Sequence, residues 1–362
     1  MIPVDQAARD RALQDFSTNF CVEAGAGTGK TTILVGRILN MVREGRASLR
    51  RLAAITFTEK AAGELKVRLR QKIDEARAGA TAEEARRLEE AAADLETAAI
   101  TTIHGFAASL LRERPVEAGV DPDFEVLDPV QREVLLEEVW ADWLEARLQE
   151  SCDTLRRALA LGITLKQVKG LAQNIINEPE ARPPSAAPHD RREVDSFLDR
   201  LRQAVEELAD LAERHCEDKS DKGYLHIQEL VQAVESQEDF PSAEAFIMTG
   251  IKVEKNAGNQ KNWSAPEHCR YQKEVCGELA AELDRLRASI GRDITCRLVN
   301  LLFEFRETWQ REKAERGFLD FNDLLLRARD LLRDNFEVRR EFQEAFDHIL
   351  VDEFQDTDPL QA

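Results

Sequence analysis

No run of apolar residues in this 362-residue chain approaches the ~20 that a membrane-spanning helix requires, so no transmembrane segment is expected. The N-terminus, Met1-Ile2-Pro3-Val4-Asp5-Gln6, has neither the basic start nor the apolar core of a signal peptide. The six cysteines (Cys21, Cys152, Cys216, Cys269, Cys276 and Cys296) include no C-x-x-C pair. Their scatter argues against a disulfide frame or a zinc site and for reduced thiols in a cytoplasmic protein; His268, Cys269 and Cys276 make too thin a metal set. A basic excess is also missing. Fifty Lys/Arg against 69 Asp/Glu give a net charge of −19, which on its own argues against a nucleic-acid partner. The deficit is uneven, however. Residues 31–72 hold ten Lys/Arg against three acids, a local +7 that permits phosphate-backbone contact as readily as it permits a solvated helix face.

What remains is 43% apolar and 33% charged, the make-up of a helix-rich protein long enough for two or three domains. One stretch carries chemistry without help: Ala24-Gly25-Ala26-Gly27-Thr28-Gly29-Lys30-Thr31-Thr32. Phe20-Cys21-Val22-Glu23 before it reads as a short strand, and Leu34, Ile38, Met41 and Val42 after it mark a helix face. Strand, glycine-rich turn, Lys-Thr and helix form the context of a phosphate-binding loop. Gly25, Gly27 and Gly29 let main-chain N–H groups converge on a polyphosphate, and the helix N-terminus adds positive potential. Lys30 brings a point charge to the outer phosphates, and Thr31 offers a hydroxyl to Mg²⁺. The usual first glycine of the motif is Ala24.

Further along, Leu52–Phe57 reads as a second strand ending in Thr58-Glu59-Lys60, before a helix with Ala61, Leu65, Leu69 and Ile73 on one face. An Ala/Glu-rich helix spans 82–97. Ala99–Ile103 makes a third strand running into His104-Gly105-Phe106. Alternating strands and helices imply a parallel sheet with its functional loops at the strands' carboxyl ends. From about residue 128 the pattern turns helical, with a capping box at Thr164-x-x-Gln167, a proline-rich loop at 178–188 and a helix at 191–215. Residues 240–275 look irregular, and Leu279 to Phe305 trace a long helix. Then His348-Ile349-Leu350-Val351 precedes Asp352-Glu353, an apolar strand ending in two acids. With a phosphate loop upstream, Asp352 is placed for the Mg²⁺ shell and Glu353 to orient and deprotonate water. Lys30 and Asp352 must converge on one Mg²⁺–phosphate group across 322 residues. A βαβ unit needs ~30 residues, so the helical stretch must leave the sheet as an insertion and return.

These segments together resemble the N-terminal portion of a UvrD/Rep-type superfamily 1 DNA helicase, RecB/AddA-like in flavour. The matching residues are Ala24–Thr31, Ile55-Thr-Phe-Thr-Glu-Lys-Ala-Ala62, Thr101-Thr-Ile-His-Gly-Phe106, Leu319-Asp-Phe321 and Ile349-Leu-Val-Asp-Glu-Phe-Gln-Asp-Thr357, in the family's order. Ala24 is also what the family carries in place of the first glycine. The resemblance implies an α/β fold: a RecA-like P-loop parallel sheet, domain 1A, in 1–127 and 311–362, with an all-helical insertion, domain 1B, in 128–310. ATP and Mg²⁺ are the implied cofactors. Gln6 would read adenine. Ala24, Gly25, Ala26, Gly27, Thr28, Gly29, Lys30, Thr31 and Thr32 would hold the phosphates, and Thr31 and Asp352 the metal. Glu353 would be the catalytic base, and Gln355 would sense the γ-phosphate and couple it to DNA. Phe57, Thr58, Lys60 and His104 would contact single-stranded DNA, with Phe57 as a stacking ring. Glu59 departs from the pattern, which has Asn or a similar polar residue there; an acid beside DNA phosphates is unfavourable.

The implied activity is an ATP-dependent, 3′-to-5′ DNA helicase or translocase of repair and recombination. Its implied partners are single-stranded or tailed DNA and a second helicase–nuclease subunit, with no membrane. The chain ends just after the Asp-Glu-Phe-Gln-Asp motif, where the family continues with a second motor domain. The expectation is therefore an incomplete motor that binds its ligands and turns over little. The alternative is a natural short module that uses ATP as a switch for binding DNA or a partner. A P-loop ATPase with coiled-coil arms is disfavoured, because no L-S-G-G-Q-like signature occurs and prolines interrupt the helical stripes.

Overall fold

The computed structural model describes residues 5–25, 27–185, 188–357 and 360–361. Ala26, expected among the phosphate-holding residues, lies outside them. The chain divides into two compact units, Met1–Arg132 with Lys313–Ala362, and Glu133–Glu312.

The first unit opens with α1 (Gln6–Gln14), α2 (Lys30–Arg43), β1 (Leu52–Thr56), α3 (Glu59–Arg77), α4 (Ala82–Asp94), β2 (Ala99–Thr102), α5 (Ile103–Glu113), α6 (Pro115–Ala118) and β3 (Glu125–Val126). Helix α7 (Pro129–Gln149) starts there and runs on into the second unit, which contains α8 (Asp153–Ala160), α9 (Leu165–Asn177), α10 (Arg191–His215), α11 (Lys222–Glu235), α12 (Ala243–Ala245) and most of α13 (Pro266–Glu315). The chain re-enters the first unit through β4 (Phe318–Leu319), α14 (Phe321–Asp334), α15 (Phe336–Ala345) and β5 (His348–Val351). The architecture is mixed α/β with a small parallel sheet.

That sheet has the order β2-β1-β5, with Ala53 opposite Ala99 on one side and Leu52 opposite His348 on the other. All five residues of β1 are buried, as its unbroken apolar run requires for a parallel strand covered on both faces. Leu52 and Ala54, two residues apart and so on one face, join Ile100 in a core with Val35, Ile38, Leu65, Leu69, Ile73 and Leu88 from α2, α3 and α4. A second core gathers Leu110, Leu111, Phe124, Leu324, Leu325, Leu331 and Phe342 from α5, α14 and α15 and the loop before β3.

β1 and β2 each hand the chain to a helix within a residue or two. Thr58 caps α3 by accepting from the Ala61 N–H, and Thr102 caps α5 by accepting from the Gly105 N–H. The threonines at these strand ends therefore start the helices that carry the rim residues.

Phe20–Glu23, expected as a strand, forms none. The reason is local. Arg37 on α2 donates to the carbonyls of Ala12 and Asp15 and lies over the rings of Phe16 and Phe20. Phe20 is thereby drawn onto α1 and α2 instead of a sheet face, and Cys21, Val22 and Glu23 are left exposed.

In the second unit, Trp140, Trp143 and Phe305 pack ring against ring, with centroids 5.1–5.3 Å apart. The capping box at Thr164 and Gln167 is formed. The irregular stretch ends earlier than the sequence implied, because α13 begins at Pro266. Proline is pre-set for a first helical position, and Cys269, Gln272 and Cys276 continue the buried stripe. Cys269 and Cys276 are core residues, while His268 stacks on His215 and shares Ser264 with it. Among the described residues no group of three or more His, Cys, Asp or Glu is arranged to hold a metal ion. No helix is long and apolar enough to cross a membrane among them either.

Candidate functional site

The loop before α2 has the backbone its glycines were expected to supply. Gly27 and Gly29 take φ of +75° and +98°, in the left-handed region where a side chain is strained. Gly29 is the residue before α2, so Lys30, Thr31 and Thr32 form the first turn, with main-chain N–H groups unclaimed by the helix. Thr28 closes the loop on itself. Its hydroxyl donates to the Gly25 carbonyl at 2.7 Å, and its N–H reaches the same oxygen at 3.3 Å.

Across the sheet, β5 ends at Val351, and the Asp352 N–H donates to the Ile55 carbonyl at 2.8 Å, which fixes the acid pair at the carboxyl end of β1. Lys30 Nζ then donates to Glu353 Oε2 at 3.2 Å, joining two ends of the chain 323 positions apart. Gln355 Nε2 donates to the same carboxylate oxygen. Asp352 Oδ1 accepts the Glu353 N–H at 3.1 Å. Glu353 itself has φ +53°, one of two non-glycine residues with positive φ among those described. The electrostatics separate the two acids. Burial first, and the neighbouring Glu353 charge second, push the Asp352 carboxyl above the ordinary aspartate range. The hydrogen bond from Gln355, followed by Lys30, holds Glu353 below the ordinary glutamate range.

Of the residues singled out from the sequence, the structure therefore brings Lys30, Asp352, Glu353 and Gln355 into one cluster. Gln6 is the first residue of α1 and spends its amide on Asp10 Oδ1 of the same helix, at 2.7 Å. Arg9, one turn on, makes the contact between α1 and the loop: its Nη1 donates to the Thr28 carbonyl at 3.1 Å, while Asp5 pairs with the guanidinium. Nothing in the residue pattern points to Arg9 beyond its spacing of three from Gln6.

The second set lies on the two rim turns. Phe57 is 55% exposed, so it is not a buried strand residue. Thr58 uses its hydroxyl as the α3 cap, and Lys60 projects from the first turn of α3. His104 sits in the first turn of α5, its ring 4.8 Å from that of Phe321, the exposed aromatic of Leu319-Asp320-Phe321. Glu59 is tied across to the second turn: the Thr102 hydroxyl donates to Glu59 Oε1 at 2.8 Å. Phe321 was quoted from the sequence only within the Leu319-Asp-Phe321 match, without a role, and the Glu59–Thr102 link was not singled out.

The model of the family described as the UvrD/REP helicase N-terminal domain matches residues 5–362. An ATP-dependent helicase/nuclease subunit of Pediococcus pentosaceus is 25% identical over 405 residues, covering 98% of this chain and 32% of that protein. The protein of the same name in Listeria monocytogenes serotype 4b is 26% identical, covering 97% and 32%. The exonuclease/helicase subunit RexA of Lactococcus lactis is 24% identical, covering 98% and 34%. The chain spans about a third of the length of these relatives.

Proposed function

The chain belongs to the UvrD/REP helicase N-terminal domain family, and on that premise we propose that it is the ATP- and single-stranded-DNA-binding part of a helicase acting in DNA repair or recombination. In this reading the unit holding the parallel sheet is the RecA-like domain 1A, and Glu133–Glu312 is its helical insertion, domain 1B. The names of the relatives, helicase/nuclease subunits, support single-stranded or tailed DNA as substrate and a nuclease as partner.

The single observation that carries the nucleotide assignment is the Lys30–Glu353 contact. The donor set suits a magnesium-bound nucleoside triphosphate: left-handed glycines before a helix N-terminus, a lysine at its first position, and two adjacent half-buried acids. Bound between Thr31 and Asp352, Mg²⁺ would neutralise charge on the outer phosphates. Lys30 exchanges Glu353 for a phosphate oxygen, since both are anions reached by one ammonium. Glu353, released from Lys30 and still oriented by Gln355, takes a proton from water at Oε2. Phe57, Thr58, Lys60 and His104 offer a ring, a hydroxyl, a cation and an imidazole along two adjacent turns, a set that suits a base and its phosphates.

Titration with a fluorescent ATP analogue and Mg²⁺ tests the nucleotide half. Lys30→Ala is expected to weaken binding at least about tenfold, by loss of charge-assisted contacts. Glu353→Gln is expected to keep or tighten binding and to lower DNA-stimulated hydrolysis by about 10²-fold or more. Equal affinity of wild type and Lys30→Ala would sink the assignment.

A further inference from the structure

A pocket of about 440 Å³ opens in the first unit between α3, β2 and α5, a volume within the range of small-ligand sites. It is separate from the phosphate loop. Glu59, Gly63 and Lys66 line it from α3, at helical spacings that put them on one face. Gly105 and Ser109, one turn apart on α5, line it from the other side. Ala99, Ile100 and Thr101 all contribute although alternate side chains of a strand point to opposite faces, so the main chain of β2 forms part of the wall. β2 is the outer strand of its sheet.

The chemistry of the lining is specific. Glu59 Oε1 accepts the Thr102 hydroxyl at 2.8 Å, and Thr102 Oγ1 accepts the Gly105 N–H at 3.1 Å. The carboxylate is thus anchored by one oxygen and keeps the other to accept a further hydrogen bond. Lys66 is a donor two turns along α3 with no ion pair among the described residues. The walls cannot close on each other: a Cβ on Gly105 would stand 2.3 Å from Thr101 Oγ1, so α5 and β2 are already in contact. At Gly63, by contrast, a Cβ would meet nothing within 4 Å. The pocket also has a clear address. Glu59 lies between Thr58 and Lys60, and Gly105 follows His104, so the lining starts where the four expected DNA contacts stand.

We propose that this pocket takes one base of the bound single strand, turned out of its stack, and that Glu59 reads its amino group. The inference rests on the proposed binding of single-stranded DNA and deepens it. An acid is a poor neighbour for phosphates but a good acceptor for an exocyclic amine, which explains why a carboxylate is tolerated at this position. Cytosine offers N4–H₂ to Glu59 and ring acceptors to Lys66. Thymine replaces the amine with a carbonyl oxygen that the carboxylate repels. The pocket therefore favours cytosine over thymine.

The test is fluorescence anisotropy at pH 8 with labelled 20-nucleotide oligo(dC) and oligo(dT), on the whole chain. Wild type is expected to bind oligo(dC) about three- to tenfold more tightly, the worth of about one hydrogen bond. Glu59→Gln, whose amide both donates and accepts, brings the two affinities together. Gly63→Leu fills the pocket and weakens oligo(dC) at least to the oligo(dT) level. Leucine is the better helix former, so an undiminished Tm in this variant excludes unfolding as the cause. Equal wild-type affinities for the two oligonucleotides, or a preference that survives Glu59→Gln, overturns the base pocket alone. Binding of neither oligonucleotide by wild type overturns the DNA-binding reading and the pocket with it.

Discussion

At the scale of single residues, Asp352 and Glu353 are adjacent carboxylates made unlike by their surroundings. Glu353 accepts from Lys30 and Gln355 and adopts a left-handed backbone that a non-glycine residue holds only under constraint. Such strain is common where a side chain must be aimed. Asp352 is half-buried, and burial pushes its carboxyl upward. The sign of the consequence follows from linkage. A carboxyl whose folded pKa is raised binds its proton more tightly in the folded than in the unfolded chain, so its ionised form opposes folding at neutral pH. Stability from this group therefore increases as pH falls through the raised value. Asp352→Asn is expected to have a higher Tm than wild type at pH 7, with the gap closing on acidification as the wild-type carboxyl protonates. The same variant loses a Mg²⁺ ligand and should bind Mg²⁺-nucleotide more weakly. Thermal melts at pH 7 and about pH 4.5, with nucleotide titrations beside them, read both effects. A lower Tm for the variant at pH 7 would contradict the burial argument.

At the scale of elements, the second unit shows how one buried acid organises an irregular segment. Asp221 precedes α11 and is 3% exposed. Its Oδ1 accepts from the Gly223 N–H at 2.8 Å and Trp263 Nε1 at 3.2 Å, and its Oδ2 from the Asn259 N–H at 2.8 Å and Asn262 Nδ2 at 2.9 Å. These bonds outweigh the opposing effect of burial and hold its carboxyl below the ordinary range, so the stability it supplies is present above that range and is lost as pH falls. Asp221→Ala leaves several buried donors unmatched and is expected to cost about 3 kcal/mol in urea unfolding. Loss of hydrogen-exchange protection should concentrate in 257–263. A shift below about 0.5 kcal/mol, the level of an ordinary surface change, would mean the loop holds itself.

That segment also marks where sequence patterns stop being informative. Helix stripes of aliphatic residues, as in α3 and α10, declare their buried face, and β1 declares itself by four apolar residues and a threonine between turn signals. The start of α13 does not, because Cys269, Gln272 and Cys276 carry its buried stripe and all three bear polar or weakly polar heads. Phe20–Glu23 misleads for the opposite reason: it looks apolar enough for a strand, but cation–ring contacts with Arg37 claim its only aromatic. In the candidate site, Lys30, Asp352 and Glu353 were legible because phosphate and metal chemistry restricts residue type, and Gln355 only through the family resemblance. Arg9 and the contact of Phe321 with His104 were not, since each joins segments distant in the chain that no local pattern connects.

At the scale of the molecule, the first unit is assembled from two stretches of chain separated by the whole second unit. The two crossing points are held at one place. Arg132, the last residue before the crossing, donates to Asp320 Oδ2 at 3.3 Å, and Lys313, the first after the return, donates to that same oxygen at 2.8 Å. Lys313 also pairs with Asp323, and Asp320 and Asp323 form the capping box that starts α14. The charges of this buried group are interdependent. Lys313 outweighs burial to hold Asp320 low, while burial and then the Asp320 charge raise Asp323. Removing Lys313 alone would leave the buried Asp323 without its cation and Asp320 with Arg132 only, at a cost of about 3–5 kcal/mol. Removing the insertion and keeping both crossing residues is a different matter. Arg132 and Lys313 meet on one oxygen, so a short glycine- and serine-rich linker in place of residues 133–312 spans the gap without drawing the first unit out of shape. That shortened chain is expected to unfold in a single cooperative transition and to bind the fluorescent ATP analogue with Mg²⁺ within about threefold of the whole chain, less than 1 kcal/mol. The whole chain, with two compact units, is expected to melt in two steps. If the shortened chain binds nucleotide and the same chain carrying Lys313→Met does not fold, the buried lysine is what closes the first unit. If the shortened chain fails to fold with Lys313 intact, the first unit depends on the inserted helices, and the convergence on Asp320 is a consequence of their packing instead of its cause.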